Sequence, residues 1–441
     1  MNGLTHLIDK LVDNEVGVLS SIAEMRLAAG APPFFHYVIH PCNTRAFSEY
    51  AIPGPGGAAG SDRKSAVTRV VLDGIASYCA ALISEEDGKH PVRPAYGAPF
   101  RCVVPENFAL FSDDQYAQPD FPWVPFNRHT PVQWSEAVNP LADTPIFIPS
   151  AMRFLTAPAV LGFNEAPIAP PTSTGLACHC IAACAATEAI CDVIECDALA
   201  LLWQAKLSMP QIRVETLSDA NYELVSRFER TGGSITLFKI EFDLGIPTVL
   251  AVLSDSRPGA PARTFAAGTS LSPENAVRRS LEMLAHVHQY CQLLKAQDCA
   301  YQDQQSVRDQ SQHLRFWSDP RNSSQADFLF SSRERIEFDQ LKDLSSGHPG
   351  RDLEKLLNNI DAAGYDTLLA NLTTPDIADL GLTVIRAIIP GLHPLFFGYH
   401  SRALGGRRLW EIPQRLKLGG IKPKTGDNPL PHPFPRKGVM S

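Results

Sequence analysis

The chain has no long apolar run and no sign of an export signal. Residues 1–16 carry four charged side chains among the apolar ones, whereas a secretory signal has an uninterrupted apolar stretch. A membrane-spanning helix needs about 20 consecutive apolar residues. The best candidate, 380–392, is interrupted by Arg386 and Pro390. The sequence therefore predicts a cytoplasmic protein with no membrane segment.

Cysteine and positive charge are also scarce. Ten cysteines are few for 441 residues, and without an export signal they predict free thiols in a reducing compartment. Lys and Arg number 39 against 47 Asp and Glu, which gives a net charge of −8. This balance argues against a protein whose main partner is nucleic acid or an anionic membrane, but it leaves room for a local basic cleft.

Proline and apolar residues are abundant instead. The 36 prolines are about 8% of the chain, against about 5% in average proteins, and predict many rigid loops. With 44% apolar and 20% charged residues, the chain can bury a core. We divide it into an N-terminal segment 1–60 that ends in a glycine-proline loop at 53–57, a main domain 61–420, and a tail 421–441 rich in Gly, Pro and Lys.

Periodicity places the main elements of the middle domain. Segments 91–171 and 300–345 are dominated by proline and polar residues respectively, and are predicted to be mainly loops. Apolar residues at helical spacing or without interruption predict helices, and alternating or β-branched runs predict strands. The predicted helices are 65–83, 182–207, 273–295 and 352–363, and the predicted strands are 235–243, 248–253 and 383–389.

Three acids share one face of the predicted helix 182–207. Glu188, Asp192 and Glu195 stand at i, i+4 and i+7. One interpretation is a narrow solvated stripe on an amphipathic helix. The other is a set of ligands for a divalent cation, because three like charges at this spacing destabilise a bare helix and a bound cation reverses that effect. Magnesium, which takes hard oxygen ligands and bridges to nucleotide phosphates, fits the second interpretation.

Two further features are less specific. Glu282, His286 and Gln289 repeat the same spacing on helix 273–295, where a polar line is either a surface face or a ligand-binding face. Asp73 is the one acid in the body of helix 65–83, and an isolated acid of this kind is more often a capped or partly exposed carboxylate than a ligand.

The loop before helix 182–207 contains Ser173-Thr174-Gly175, which can present hydroxyls and backbone N–H groups to an anion. The glycines at 54–60 do not form a P-loop, because no Lys-Ser/Thr pair follows them and no clear strand precedes them. Five cysteines and His179 lie within 178–196, but without the paired spacing of a structural zinc site. They are more consistent with small core residues.

Together these segments resemble the YcaO superfamily, and more narrowly the discrete YcaO protein of azole-modified peptide clusters. The tail sequence Pro-Leu-Pro-His-Pro-Phe-Pro at 429–435 is unusual and specific to this group. The resemblance covers about residues 50–435. The stretches that carry it are 173–177, 190–198 with Trp203, 267–274, 372–376, 389–392, 408–413 and 429–435.

The resemblance implies an α+β fold in which mixed and antiparallel sheets pack against helices that converge on a nucleotide site. It implies ATP and Mg²⁺ as cofactors. By the same resemblance, the metal ligands are Asp73, Asp192 and Glu195; the nucleotide-binding residues are Ser173, Glu188, His286 and Gln289; and the catalytic residues are Glu282 and Pro435.

The sequence departs from the family pattern, which on the first two helices is an acid, two residues, and then Glu-Arg. Cys196 follows Glu195 where arginine is expected, and Ala76 and Ser77 replace the pair after Asp73. A guanidinium is the usual partner of a phosphate, and its loss affects ATP handling. Residues 436–441 also follow the proline at which relatives end, so a terminal carboxylate there would need a shifted register or processing.

The implied reaction is ATP-dependent cyclodehydration of a ribosomal precursor peptide. A Cys, Ser or Thr side chain attacks the preceding carbonyl, ATP phosphorylates the oxyanion, and phosphate leaves to give a thiazoline or oxazoline. A ThiF-like leader-binding protein is the implied partner, an FMN dehydrogenase can join to form azoles, and the chain is expected to be a homodimer within the complex. Two alternatives stay open: a degenerate YcaO scaffold subunit without ATP turnover, and a thioamide-forming YcaO enzyme.

Overall fold

A computed structural model describes residues 2–43, 54–83, 92–155, 165–295, 303–420 and 428–435. The predicted tail falls partly outside these residues, at 421–427 and 436–441, as does the start of the predicted loop at 53. Within the described ranges, no helix combines the length and the apolar character that crossing a bilayer requires.

Three sheets form the framework. The first has three antiparallel strands: β1 (Leu19–Glu24), β2 (Phe35–Pro41) and β3 (Gly56–Gly60). The second has five strands in the order β10-β9-β8-β7-β11, and the third has five in the order β5-β4-β12-β13-β6. The bounds are β4 (Trp134–Asn139), β5 (Thr144–Pro149), β6 (Leu176–His179), β7 (Gln211–Ile212), β8 (Ser234–Lys239), β9 (Thr248–Ser254), β10 (Arg263–Thr269), β11 (Arg335–Ile336), β12 (Leu368–Asn371) and β13 (Thr383–Ile388).

All pairs in the third sheet are antiparallel, and in the second sheet only β7 and β11 run parallel. Twelve α-helices lie within the described residues. They are α1 (Asn2–Leu11), α2 (Arg63–Ala81), α3 (Asp113–Tyr116), α4 (Ser150–Arg153), α5 (Ala182–Gln204), α6 (Asp219–Glu229), α7 (Pro273–Lys295), α8 (Gln310–Ser318), α9 (Pro320–Ser323), α10 (Pro349–Ala362), α11 (Pro375–Ala378) and α12 (Arg408–Arg415).

Three long helices connect the sheets. Helix α2 packs on β2 and β3, α7 packs on β9 and β10, and α5 lies between β13 and β10 with α10 against it. Apolar residues surround α5 almost completely, and Trp203 near its end is fully buried. The mixed and antiparallel sheets with packed helices confirm the α+β prediction.

Most of the predicted elements are present. The predicted helices coincide with α2, α5, α7 and α10, and the predicted strands correspond to β8, β9 and β13. Strands β8 and β9 pair antiparallel. A capping box explains the start of α2. The Asp62 carboxylate accepts from the backbone N–H of Ser65, and the Ser65 hydroxyl accepts from the backbone N–H of Asp62.

The predicted loop at 53–57 is wrong in its second half, because Gly56 and Gly57 belong to β3. This strand is buried along its length, with α2 on one side and contacts to α7 as well. A Cβ on Gly60 would lie 2.6 Å from the backbone N of Ala66. Small residues are used here because helices approach the strand closely, and not because the chain turns.

The described part of the polar segment, 303–345, contains helices as well as loops. Helix α8 lies within it, and Leu314, Phe316 and Trp317 on that helix are buried. The Asp309 carboxylate caps its N-terminus by accepting from the N–H of Gln312.

Candidate functional site

A cleft of 390 Å³ opens where α2, α5 and α7 approach one another, beside the ends of β6 and β10. Each helix contributes polar side chains. Four acidic and four basic residues line the cleft: Asp62, Asp73, Glu188 and Glu195, and Lys64, Arg69, Arg278 and Arg279. A site with this balance can hold a divalent cation and a polyanion at the same time.

The acidic side of the cleft comes from two helices. Asp73 projects from α2, while Glu188 and Glu195 project from α5, and all three are half-buried. The helical spacing on α5 places two of its three acids, Glu188 and Glu195, in one cleft. The third acid, Asp192, lines the small cavity described below.

The basic side of the cleft is supplied mainly by α7 and α2. Arg278 is exposed, whereas the Arg279 guanidinium lies 2.8 Å from the Glu188 carboxylate. Burial acts to lower the pKa of Arg279, but the nearby Glu188 and Glu195 carboxylates outweigh it and hold that pKa above its ordinary value. Arg279 is a fixed positive charge among the acids.

Arg69 is held in place by a buried glutamate. Its guanidinium lies 2.7 Å from Oε2 of Glu282 and also donates to the carbonyl of Ala59 at 3.1 Å. The other oxygen of Glu282 accepts from the N–H of Ser61 at 2.9 Å, and the side chain is 1% exposed. Glu282 thus lies behind the cleft and positions Arg69, which lines it.

A second, smaller cavity adjoins the cleft. It is lined by Ser173, Asp192, Glu195 and Pro435 among others, and its volume of 10 Å³ is about that needed for one water molecule. Glu195 lines both cavities. Asp192 is 7% exposed, and its Oδ2 accepts from the N–H of Gly175 at 2.7 Å.

Gly175 fixes the turn that carries Ser173. Its φ is +78°, which favours glycine, and a Cβ there would lie 2.2 Å from the carbonyl oxygen of Ala387. The turn is thereby held against both β13 and α5.

The proline-rich segment 429–435 reaches this second cavity, which Pro435 lines. The indole N–H of Trp203 donates to the carbonyl of Leu430, and that of Trp317 donates to the carbonyl of Pro431. His313 lies 2.7 Å from the carbonyl oxygen of His432 through Nδ1, and its Nε2 accepts from the N–H of Gly398. These bonds require the neutral Nδ1–H tautomer. Burial lowers the pKa of His313 to about 4, which keeps it neutral.

The structure does not bring every predicted residue to the cleft. Gln289 is 1% exposed, and its amide donates to the carbonyl of Arg26 and accepts from the N–H of Ala28. His286 is buried against His36, with ring centroids 6.2 Å apart. Burial and the charge of Arg69 lower the pKa of His286 to about 4. The shared spacing of these residues with Glu282 marks a buried face of α7 that packs against the N-terminal strands.

The predicted metal ligands are divided between two cavities. Asp73 lines the cleft, Asp192 lines the small cavity, and Glu195 lines both. Among the described residues, no three His, Cys, Asp or Glu side chains are arranged to enclose one metal ion. Magnesium is commonly held by one or two carboxylates together with substrate phosphates and water. The donor set fits Mg²⁺ bound with a nucleotide, and it does not fit an all-protein cage.

Sequence reasoning did not identify the four basic residues of the cleft. Arg278 and Arg279 are adjacent basic residues near the start of α7, which is a detectable signal. Arg69 and Lys64 lie on α2 four and nine residues before Asp73, and only the fold shows that they face α5. The sequence lacks the arginines of the family pattern, but the cleft contains these other basic residues.

Comparison with known proteins identifies the family of the chain. Residues 57–393 match the family model described as YcaO cyclodehydratase, ATP- and Mg²⁺-binding. An uncharacterized protein of Methanothermobacter thermautotrophicus is 31% identical over 207 residues, which are 46% of this chain and 50% of that protein. The chain therefore spans about half the length of the curated relative it matches.

Two solved structures are similar in fold. A heterocyclase in complex with substrate and cofactor superposes with a TM-score of 0.79 at 18% identity, covering 98% of this chain and 57% of the other. The E. coli microcin synthetase McbBCD complex with pro-MccB17 bound contains a chain with a TM-score of 0.62 at 14% identity, covering 96% of this chain and 99% of the other. The chain belongs to the YcaO family, and the predicted cofactors, ATP and Mg²⁺, are those of the family.

Proposed function

Since the chain belongs to the YcaO cyclodehydratase family, we propose that it uses ATP to form thiazolines or oxazolines in a ribosomal precursor peptide. The observation that carries the proposal is the cleft between α2, α5 and α7, where acids and bases meet in equal number. Such a cleft neutralises phosphates on one side and holds a cation on the other.

Each side of the cleft has a defined task in this proposal. Arg69 and Arg279 contact the phosphates. The ion pair with Glu282 holds Arg69 in position, and the ion pair with Glu188 holds Arg279. Asp73 and Glu195 would hold Mg²⁺ together with the phosphates and water, and the ion would supply charge neutralisation for phosphoryl transfer. The missing family-pattern arginines and the residues beyond Pro435 favour the scaffold alternative, whereas the cations of the cleft favour a nucleotide-using enzyme.

The reacting peptide bond belongs at the small cavity in this proposal. Glu195 connects this cavity to the cleft, and Ser173, Asp192 and Pro435 complete its wall. The peptide's Cys, Ser or Thr side chain attacks the preceding carbonyl carbon, and the γ-phosphoryl group of ATP is transferred to the resulting oxyanion. The side chain gives up its S–H or O–H proton when it attacks, and loss of phosphate and of the former amide N–H proton then forms the C=N bond of the ring. Phosphorylation makes the former amide oxygen a good leaving group, and the protein contributes position and charge.

We propose that the chain acts in a cytoplasmic complex as a homodimer. A ThiF-like protein that binds the leader peptide is the expected partner, and an FMN dehydrogenase is the expected source of azoles. The fold similarity to one chain of a multiprotein microcin synthetase supports an assembly of this kind.

Mass spectrometry of a precursor peptide incubated with the chain, its partner and MgATP tests the proposal. Cyclodehydration removes one water, about 18 Da, for each ring, whereas a thioamide adds about 16 Da. Loss of water together with ATP consumption supports the proposal. A gain of mass indicates the thioamide-forming alternative, and no change with no ATP consumption indicates the scaffold alternative.

A further inference from the structure

A separate apolar pocket lies on the other side of the turn that carries Ser173. Its volume is 70 Å³, room for about five to seven water-sized groups, which matches a leucine, methionine or phenylalanine side chain. Its wall is mainly apolar and includes Phe108, Met152, Val193, Ile388 and Leu392. An apolar wall of this kind favours an apolar occupant.

The pocket shares a wall with the small cavity. The side chain of Thr174 lines both. Thr174 is fixed by Thr172, whose hydroxyl lies 2.9 Å from that of Thr174 and accepts from its backbone N–H at 3.1 Å. Val193, in the pocket wall, directly follows Asp192, in the cavity wall, along α5. The two spaces are therefore neighbours across a thin, ordered partition.

The proposed reaction places a side chain of the substrate peptide next to the reacting carbonyl. The carbonyl that is attacked belongs to the residue before the Cys, Ser or Thr that cyclises. The side chain of that preceding residue begins two bonds from the reacting carbonyl carbon, at about 2.5 Å. When the carbonyl is at the small cavity, this side chain must enter a space next to it.

We propose that the pocket binds the side chain of the residue that precedes the cyclised Cys, Ser or Thr, and that it selects apolar side chains there. This inference rests on the proposed function for the position of the reacting carbonyl. Arg386, which is 2% exposed, also lines the pocket, so a lysine side chain would meet a buried guanidinium. Apolar residues are preferred, glycine gains nothing, and lysine is disfavoured.

Peptide binding to the full-length protein tests the pocket without ATP. The probes are N-acetyl-X-Cys-Gly amides with X as Gly, Ala, Leu, Phe or Lys, and titration calorimetry under reducing conditions gives each affinity. We expect the Leu peptide to bind about tenfold more tightly than the Gly peptide. Equal affinities for all X, tighter binding of the Lys peptide than of the Leu peptide, or no detectable binding of the Leu peptide would overturn the proposal.

Variants of Met152 locate the effect in the pocket. Met152 is half-buried on α4, so Met152→Trp fills the pocket and is expected to reduce the Leu-to-Gly ratio to below about twofold. Met152→Ala enlarges the pocket and is expected to shift the preference from Leu to Phe, which gives a second readout if the tryptophan variant does not fold. Met25→Ala, a half-buried methionine outside the pocket, should leave the ratio unchanged. An unchanged ratio and preference in both Met152 variants contradicts the assignment.

The same measurements separate this inference from the proposed function. In one outcome, peptide binding depends on X and this dependence disappears when the pocket is filled, but the protein does not consume ATP with its partner and precursor. That outcome supports the pocket assignment and contradicts cyclodehydration. Ring formation that does not depend on X supports cyclodehydration and contradicts the pocket assignment.

Discussion

Glu282 should control nucleotide affinity although it does not line the cleft. One of its oxygens accepts from the Arg69 guanidinium at 2.7 Å and the other from the N–H of Ser61 at 2.9 Å. The change Glu282→Gln leaves the volume nearly unchanged but removes the charge and replaces one acceptor oxygen with a donor. Arg69 or Ser61 must then lose its acceptor.

The size of the effect follows from the burial of this pair. Glu282 is 1% exposed and Arg69 26% exposed, so water replaces the lost bond poorly. A hydrogen bond to a charged group contributes about 1.5–3 kcal/mol, so we expect the free energy of unfolding to fall by about 2 kcal/mol. Because Arg69 is no longer held towards the phosphates, we also expect ATP affinity to fall about tenfold, or about 1.4 kcal/mol.

Urea unfolding and calorimetric titration with MgATP measure the two effects. Glu223→Gln is the matched control, since Glu223 pairs with Arg230 at 2.9 Å but is 49% exposed on α6. The control should change stability by less than about 1 kcal/mol and leave ATP affinity unaltered. Unchanged ATP affinity in Glu282→Gln, with reduced stability, would refute the reasoning that Arg69 is positioned for the nucleotide.

Three further predictions concern the surroundings of the site. Gly175→Ala should lower the free energy of unfolding by about 3 kcal/mol, because alanine is strained at this positive φ and its Cβ would clash with the Ala387 carbonyl. Chemical denaturation measures this change, and a loss below about 1 kcal/mol contradicts the prediction. His313→Gln should flatten the pH dependence of stability. The folded pKa of His313, about 4, lies below its unfolded value of about 6.5, so the unfolded state takes up the proton first and about 3 kcal/mol is lost between pH 6.5 and 4. Urea unfolding at pH 7 and pH 5 should show a smaller difference in the variant than in the wild type, and an equal difference refutes the assignment. Asp197→Asn leaves Arg408, 3% exposed, without the carboxylate now 2.7 Å away, and should lower the free energy of unfolding by about 3 kcal/mol; a loss below about 1 kcal/mol would show that Asp243 alone neutralises the guanidinium.

Local signals in the sequence were sufficient for the long helices. The apolar spacing on α2 and the unbroken run of α5 predicted helices close to those in the structure. These elements follow from interactions between residues near one another in the chain. The strand β3 could not be predicted in this way, because its glycines are explained only by the helices that pack on it.

The same distinction applies to the site. The spacing of Glu188, Asp192 and Glu195 predicted a shared face, and two of the three acids line the cleft. The spacing of Glu282, His286 and Gln289 is identical, yet that face is buried against strands that lie more than 200 residues away along the chain. Periodicity shows that residues share a face, and only the tertiary fold shows what the face contacts.

The central claim is that acids of α2 and α5 hold a divalent cation with ATP in the cleft. A crystal structure with a non-hydrolysable ATP analogue and Mn²⁺ in place of Mg²⁺ tests it directly, because Mn²⁺ is located by its anomalous scattering. We predict a peak between Asp73 and Glu195, with the phosphates beside Arg69 and Arg279. A nucleotide bound with Mn²⁺ away from these carboxylates would contradict the account.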